Sequence, residues 1–460
     1  MYAKWSQWVM IPLLVALVTP GVLLGDLRLI YVDVNATGAK NGSSWKNAFD
    51  SLQDALALAT TIQKPVEIRV AQGVYKPDRG ADQVIGNRSA TFRLIDGVVL
   101  KGGYAGALKS DPNARDVYRH KTVLSGDLLG NDALVRPRDS FWRDPTQSDN
   151  SSHVVTGVLI SAAAVVDGFA ITGGRYATIQ RGGDLRGGTG IYLRGASPTI
   201  ANCWLHGNYV RAGGGGGLLN LDASKPTVIN CIFSENAAGR GGAIGNWDSS
   251  GAKVINCTFY NNGSGRGGAI YNRCVVSNCI LWGNQPKEID QDKFGPDVTY
   301  SDIAGGWRGQ GNVDADPCFV RVGYWADPNN IEVPVDPSRP NAVWIDGDYH
   351  LKSQGGRWDA GSNNWHMDDV TSPCIDAGDP NSPVGDEPFP NGGRINMGAY
   401  GGTAEASKSY FGGPICKTIV AGDINGDCRV DFADLAIIAS HWLWDADVVP
   451  APASLSPVKR

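Results

Sequence analysis

No long basic run occurs in the 460 residues, and 41 Lys and Arg are outnumbered by 46 Asp and Glu, for a net charge of -5. A generic nucleic-acid binder needs a basic footprint that displaces counterions, so no nucleic-acid partner is expected. The six His are scattered and offer no metal-ligand spacing. Glycine shows no every-third-residue period, which excludes collagen, while 42% hydrophobic residues and 14 Trp exclude a disordered chain. Beyond Leu24 no segment is apolar enough to span a bilayer. What the chain has in excess is glycine: 60 of 460 residues, about 13% against a usual 7% or so. A turn-rich, well-cored architecture remains.

The N-terminus reads as an export signal over residues 1–25. Lys4 precedes an apolar run from Val9 to Leu24, interrupted by Pro12 and Pro20, and polarity begins at Asp26. The alternative is an uncleaved anchor, which Pro12, Pro20 and Gly21 weaken as a spanning helix. The mature chain is therefore expected to be secreted or at the cell surface, with no membrane span.

Four cysteines mark an internal repeat. Cys203, Cys231, Cys257 and Cys279 each follow an asparagine; two residues on stand Leu205, Phe233, Phe259 and Leu281, and five residues on stand Asn208, Asn236, Asn262 and Asn284. The spacings are 28, 26 and 22 residues. A Gly-Gly element interleaves with it, at Gly216-Gly217-Leu218, Gly241-Gly242-Ala243-Ile244 and Gly267-Gly268-Ala269-Ile270. Self-similarity at this period denotes a repeat architecture.

Each unit holds short β-branched or aromatic runs separated by Gly, Asn and Ser, and none holds a helix-length periodic segment, so helical solenoids are excluded. One unit makes one coil of two or three short strands, and it buries its inner face only when neighbours stack at about 4.8 Å. Asn230 is then expected over Asn202 and Phe259 over Phe233. Both asparagine columns are expected at turns, bonded from coil to coil. The variable spacing is assigned to one loop, such as Arg211 to Gly215 or Ala237 to Arg240. The cysteines are read as small buried hydrophobes with mostly free thiols.

These elements resemble the polymorphic outer membrane protein repeat and, more widely, the right-handed β-helix repeats of the pectin-lyase-like superfamily. The close match covers residues 188–284. The fold expected is thus all-β, a right-handed parallel β-helix over residues 26–411. Phe49, Leu52, Leu56 and Ala59 have helical spacing suited to an N-terminal capping helix. Strand-like pieces are also read at Val66–Val70, Thr91–Leu94, Val98–Leu100, Tyr349–Leu351 and Cys374–Asp376.

A further module is read over residues 414–443, with a flexible tail at 444–460. From Asp423 the chain places oxygen side chains at loop positions of a calcium turn: Asp423, Asn425, Asp427, Asp431 and Asp434, with Arg429 offering its carbonyl. Ca2+ takes six to eight hard oxygen ligands. The segment resembles a single dockerin-type calcium repeat followed by a helix, which implies a cohesin-like partner. It departs from that pattern in having one loop only and Cys428 at the turn position usually held by glycine. A Cys416–Cys428 bridge is a further expectation.

No catalytic constellation stands out. Hydrolysis needs two carboxylates across the scissile bond, and elimination needs a base with a cation on the uronate. Asp368-Asp369 and the charged stretch of Asp167, Arg175, Arg181, Asp184 and Arg186 read as solvated, and Trp204, Trp247 and Trp282 as covers over neighbouring turns. Three functions stay open: a glycan-binding or adhesin-like rod; an extracellular polysaccharide lyase or glycoside hydrolase; and an autotransporter-like passenger, for which no run of alternating membrane strands is present.

Overall fold

The computed structural model describes residues 27–132, 145–176, 187–292, 294–336, 339, 342–412, 422 and 429–440. The leader at 1–25, the tail at 444–460, Arg181, Asp184, Arg186, Cys416 and Cys428 lie outside the described residues.

The strands stack as parallel coils. Among the described residues a nine-stranded sheet A runs from Arg28–Val32 to Asp297–Thr299, and an eight-stranded sheet B from Gly73–Tyr75 to Asp302–Ile303. Sheet C has four short strands, from Arg175–Tyr176 to Gly263–Ser264, and sheet D has seven, from Phe92–Arg93 to Ile289–Asp290. From Val165 to Tyr271 each coil visits A, B, C and D in that order, and the coil from Val275 passes from B to D with only an isolated bridge at Gln285 beside sheet C.

Helix α1 (Leu52–Thr61) forms where the apolar spacing predicts it. Ser51 accepts from the Gln53 amide at its N-cap, and Leu52, Ala55, Leu56 and Ala59 bury one face. That face joins the core of Ile30, Val32, Val66, Ile68 and Phe92.

Repeat positions superpose as expected. Leu205, Phe233, Phe259 and Leu281 pair in register along sheet B, and the rings of Phe233 and Phe259 stack at 4.8 Å with 7° between their planes. Cys203, Cys231, Cys257 and Cys279 are buried with free thiols. Each of the first three donates its amide to the next cysteine's sulfur, at 3.4, 3.4 and 3.3 Å. The thiol column thus accepts amide protons at the A-to-B corner as well as filling space.

The two asparagine columns differ, which corrects the expectation of two ladders. Asn208, Asn236, Asn262 and Asn284 are buried and form a one-way ladder, each side-chain amide donating to the next side-chain oxygen at 3.0, 3.0 and 2.8 Å. It ends where Asn284 donates to the Glu288 carboxylate. Burial pushes the Glu288 carboxyl up to about 7, with the Asn284 donors offsetting part of the rise. Asn202, Asn230, Asn256 and Asn278 instead take left-handed backbone, with φ between 47° and 54°. Their amides reach mostly outward, Asn230 to the Ala399 and Gly401 carbonyls and Asn256 to that of Asn396. Only Asn278 donates along this column, to Asn256 at 3.3 Å, and it also reaches Ser382.

Two corners, not one loop, absorb the spacing. The C-to-D loop shortens from residues 211–217 to 239–243, giving 28 then 26. The D-to-A corner then shortens, from the stretch Asn246–Lys253 to Asn272–Val275, giving 22.

After Ile303 the coils give way to antiparallel pairs. Phe319–Arg321 pairs with Asp348–Leu351, and Tyr324–Asp327 lies between Asn330–Pro334 and Val343–Ile345. The strand expected at Tyr349–Leu351 is present. Cys374–Asp376 forms a turn instead, where Ile375 donates to the Ser372 carbonyl at 3.3 Å.

Candidate functional site

Which face a coil presents depends on what covers it. On sheet B the outward column is Trp204, Ile232, Thr258 and Ile280, and the last three are 2% exposed or less. Phe319, Tyr349, Leu351, Met397 and Ala399 lie over it, and the Ala399 amide donates to the Thr258 hydroxyl at 3.0 Å. The segment after the last coil therefore closes this face, and Trp204 and Trp282 pack half-buried against it. Trp247 packs against Tyr271, centroids 5.4 Å apart, and over Gly214 and Gly245, where a Cβ would collide with its ring.

The open ground lies at the B-to-C corner. The four coils of the repeat each leave sheet B through one left-handed residue: Gly207, Glu235, Asn261 and Gly283, with φ of 61°, 54°, 53° and 72°. The next residue is the inward ladder asparagine, so the corner residue is turned the other way, to the outside. Beside this column runs a groove of about 520 Å3, with Tyr209, Glu235, Asn261, Ser264 and Gln285 on the coils and Trp325 on the antiparallel segment. Asn261 donates its side-chain amide to the Glu235 carboxylate, which fixes the two polar heads relative to each other. The Ser264 hydroxyl is buried and unpartnered among the described residues. Trp325 is held edge-on by Trp344 at 5.5 Å. Two aromatic rings, amides on successive coils and the single Glu235 carboxylate suit a chain of hydroxyl-bearing rings.

Several other charged residues have partners within the fold. Asp167 takes Arg115 and Asn202, each at 2.8 Å, and Glu67 takes Arg69 at 2.7 Å and Lys101 at 2.8 Å. Asp368 accepts from Arg357 at 3.0 Å and from the Ser353 amide at 2.9 Å and so anchors a loop, while Asp369 is exposed. Arg175 is buried against Gln147 at 2.8 Å. His350 is 4% exposed between Asp348, at 2.6 Å, and Glu405, at 3.4 Å, and stacks on Tyr400 at 3.6 Å. Burial pulls its pKa down, but the two carboxylates outweigh this and leave it above the ordinary value.

Of the six calcium ligands read from sequence, Asp423, Asn425 and Asp427 lie outside the described residues. Arg429 and Asp431 are exposed, and Asp434 is 2% exposed in the first turn of helix α2 (Phe432–Ser440). Its carboxylate accepts the Asp431 amide at 2.8 Å, the return half of a capping box. Among the described residues no three His, Cys, Asp or Glu converge as a metal site.

The groove was not singled out in the sequence. Its signal was present: a residue tolerant of left-handed backbone before each ladder asparagine, with Glu235 the exception. Trp325 lies outside the repeat and has no periodic mark.

Residues 147–302 match the family model described as the right handed beta helix region, and residues 324–378 match the one described as disaggregatase related. The stacked coils are accordingly a right-handed β-helix region. Among solved structures, pectin methylesterase PemA from Erwinia chrysanthemi is similar over 69% of this chain and 85% of its own, at 12% identity and TM-score 0.32. Pectate lyase Pel9A aligns over 81% and 96%, at 14% identity and TM-score 0.24. The pectin methylesterase from Aspergillus niger aligns over 62% and 85%, at 11% identity and TM-score 0.27. Likenesses this distant carry no activity across. No curated protein matches the chain.

Proposed function

We propose that this is an exported β-helix protein that binds a polysaccharide in the corner groove. The carrying observation is the groove itself, with its polar residues repeated from coil to coil between Tyr209 and Trp325. Binding without turnover is favoured over lysis or hydrolysis. Among the described residues that line the groove, Glu235 is the one carboxylate, whereas paired-carboxylate hydrolysis needs two. Helix α1 is read as the end cap of the solenoid.

Two substitutions test the site on a panel of insoluble and soluble polysaccharides. Trp325→Ala is expected to weaken retention roughly tenfold. Asn261→Gly keeps the left-handed turn and loses only the amide, and is expected to weaken it roughly threefold. Circular dichroism would verify that both variants fold. Retention unchanged in both would place the glycan elsewhere, and no retention on any member by the wild type would end the reading.

The C-terminal module is proposed to bind one Ca2+ through Asp423, Asn425, Asp427, Asp431 and Asp434 and the Arg429 carbonyl. Supporting it are the all-oxygen donor set and the helix that begins at the tenth position of the loop, Phe432. A cohesin-like partner belongs to the same proposal, and the single loop in place of a pair is its departure from the dockerin pattern. Calorimetric titration of chelator-treated protein is expected to give one site, abolished by Asp427→Ala. An identical heat trace for wild type and variant at millimolar calcium would refute it.

A further inference from the structure

The stretch that closes sheet B is fastened by a charge. His350, 4% exposed, joins three segments at one point: its own strand Asp348–Leu351, the stretch 396–409 through Tyr400 and Glu405, and the loop before the strand Thr122–Ser125 through Tyr118. Its Nδ1 lies 2.6 Å from the Asp348 carboxylate, and its Nε2 faces that of Glu405 at 3.4 Å. A neutral imidazole carries one N–H and no charge, whereas the imidazolium bonds Asp348 and forms an ion pair with Glu405 at the same time. Tyr400 stacks on the ring at 3.6 Å, and its phenol bonds that of Tyr118. Burial pushes both phenols up, so neither ionises near neutral pH. Of the other charges around the cluster, Arg357 acts on Asp348 and Asp116 on Tyr118, while Lys408 stacks on Trp365 at 4.2 Å.

Elsewhere the stretch is held by neutral bonds, from Asn230 and Asn256 to its carbonyls, from Ala399 to Thr258, and from Ser407 to the Leu351 carbonyl at 2.6 Å. A second proton-sensitive group braces it. Glu387, 7% exposed, accepts the Asn396 and Gly402 amides, each at 2.8 Å, and burial pushes its carboxyl up to about 7. Burial pulls the His350 pKa down, but Asp348 and Glu405 more than reverse this and leave it raised. Its contribution is therefore complete below about 6.5 and is lost as pH rises through the higher native value. The Glu387 contribution has the same sign, complete below about 4.5 and lost as pH rises through about 7. Rising pH thus loosens the stretch at two points.

We propose that the closing stretch is a pH-released cover, latched by the imidazolium of His350 between Asp348 and Glu405. When the proton leaves to solvent, a neutral ring remains between two carboxylates in a buried site, and the stretch 396–409 lifts from sheet B. Ile232, Thr258 and Ile280, each 2% exposed or less beneath the cover, then meet water together with the half-buried rings of Trp204 and Trp282. Release needs no ligand, so it stands whether or not the corner groove holds a glycan.

Hydrogen exchange of the full-length protein, read by mass spectrometry and corrected for the intrinsic effect of pH on amide exchange, tests the latch. From mildly acidic to mildly alkaline pH, peptides from 348–351 and 396–409 are expected to lose protection at least about threefold relative to the strands of sheet A. Glu387→Gln keeps the oxygen that accepts Asn396 and Gly402 and removes the titration of that side chain. In this background the loss should persist. Adding His350→Gln should abolish it and leave the stretch, at every pH, as weakly protected as its parent is at alkaline pH. Exchange at the His350 ring carbon between the two nitrogens reports the imidazole's own midpoint, which in the Glu387→Gln protein should coincide with the midpoint of the loosening. Glu405→Gln should move both to lower pH. Protection that does not change with pH, or that falls equally with and without His350, would overturn the proposal. So would a loss spread evenly over cover and coils, which marks global opening. If the double variant did not fold, the two midpoints in its parent would decide, and their separation would overturn the latch.

Discussion

Phe233→Ala is expected to destabilise the protein by about 3–5 kcal/mol, the usual cost of emptying a buried aromatic site. The ring is 0% exposed, lies flat on Phe259 at 4.8 Å, and has Leu205 as its register partner on the other side. In-register strands cannot close the gap, because the coil that carries Phe233 is fixed to its neighbours by hydrogen bonds along four sheets. Phe259 also loses its ring partner, worth roughly 0.5–1.5 kcal/mol beyond area. Phe233→Leu should cost much less, about 1–1.5 kcal/mol, since leucine fills the same column at Leu205 and Leu281. Urea unfolding followed by tryptophan fluorescence measures both. A Phe233→Ala midpoint equal to that of Phe233→Leu would mean the column is not a packed core.

The parts of the fold that were legible are those where stacking repeats an environment. Phenylalanine over phenylalanine and cysteine over cysteine leave a period in the sequence because each coil solves the same problem as the last. The closure of sheet B left a weaker trace. The residue after each cysteine is Trp204, Ile232, Thr258 or Ile280, largely apolar at an outward position. Such a column needs a cover, but nothing local says which segment supplies it. Sheet A shows the contrast, because its outward column of Thr199, Thr227, Lys253, Val275 and Asp297 is mostly polar and stays open. The second asparagine column misled for a related reason. Asparagine serves both as a ladder rung and as a left-handed turn residue, and only the backbone distinguishes the two roles. The groove depended on Trp325, brought in by long-range packing that no periodicity records. The proposed calcium loop rests on spacing alone, and half of its proposed ligands lie outside the described residues.

The inner ladder has a direction, and direction makes its rungs unequal under substitution. Asn236 oxygen accepts the Asn208 main-chain amide at 3.3 Å and its side-chain amide at 3.0 Å, while its own amide donates to the Leu205 carbonyl at 2.8 Å and to Asn262 at 3.0 Å. Asn236→Ala removes all four bonds at a position that is 0% exposed. The Asn208 side-chain amide keeps the Ile171 and His206 carbonyls, but its main-chain amide loses the acceptor shown for it. One stranded buried donor plus the lost bonds gives an expected cost of about 3 kcal/mol. Asn236→Asp is nearly isosteric and should nonetheless be worse at neutral pH. A carboxylate keeps the acceptor half, yet it turns an oxygen toward the Leu205 carbonyl and the Asn262 oxygen, and it buries a charge without a cation. The chain tolerates a carboxylate only at the acceptor end, where Glu288 receives Asn284 and nothing further needs a donor. Lowering the pH should therefore rescue Asn236→Asp in part, because a protonated carboxyl regains one donor, and should leave the alanine variant unchanged relative to wild type. Urea midpoints at neutral and mildly acidic pH decide it. Equal stability of the two variants at both pH values would show that the rungs only fill space and that the direction of their hydrogen bonds carries no energy.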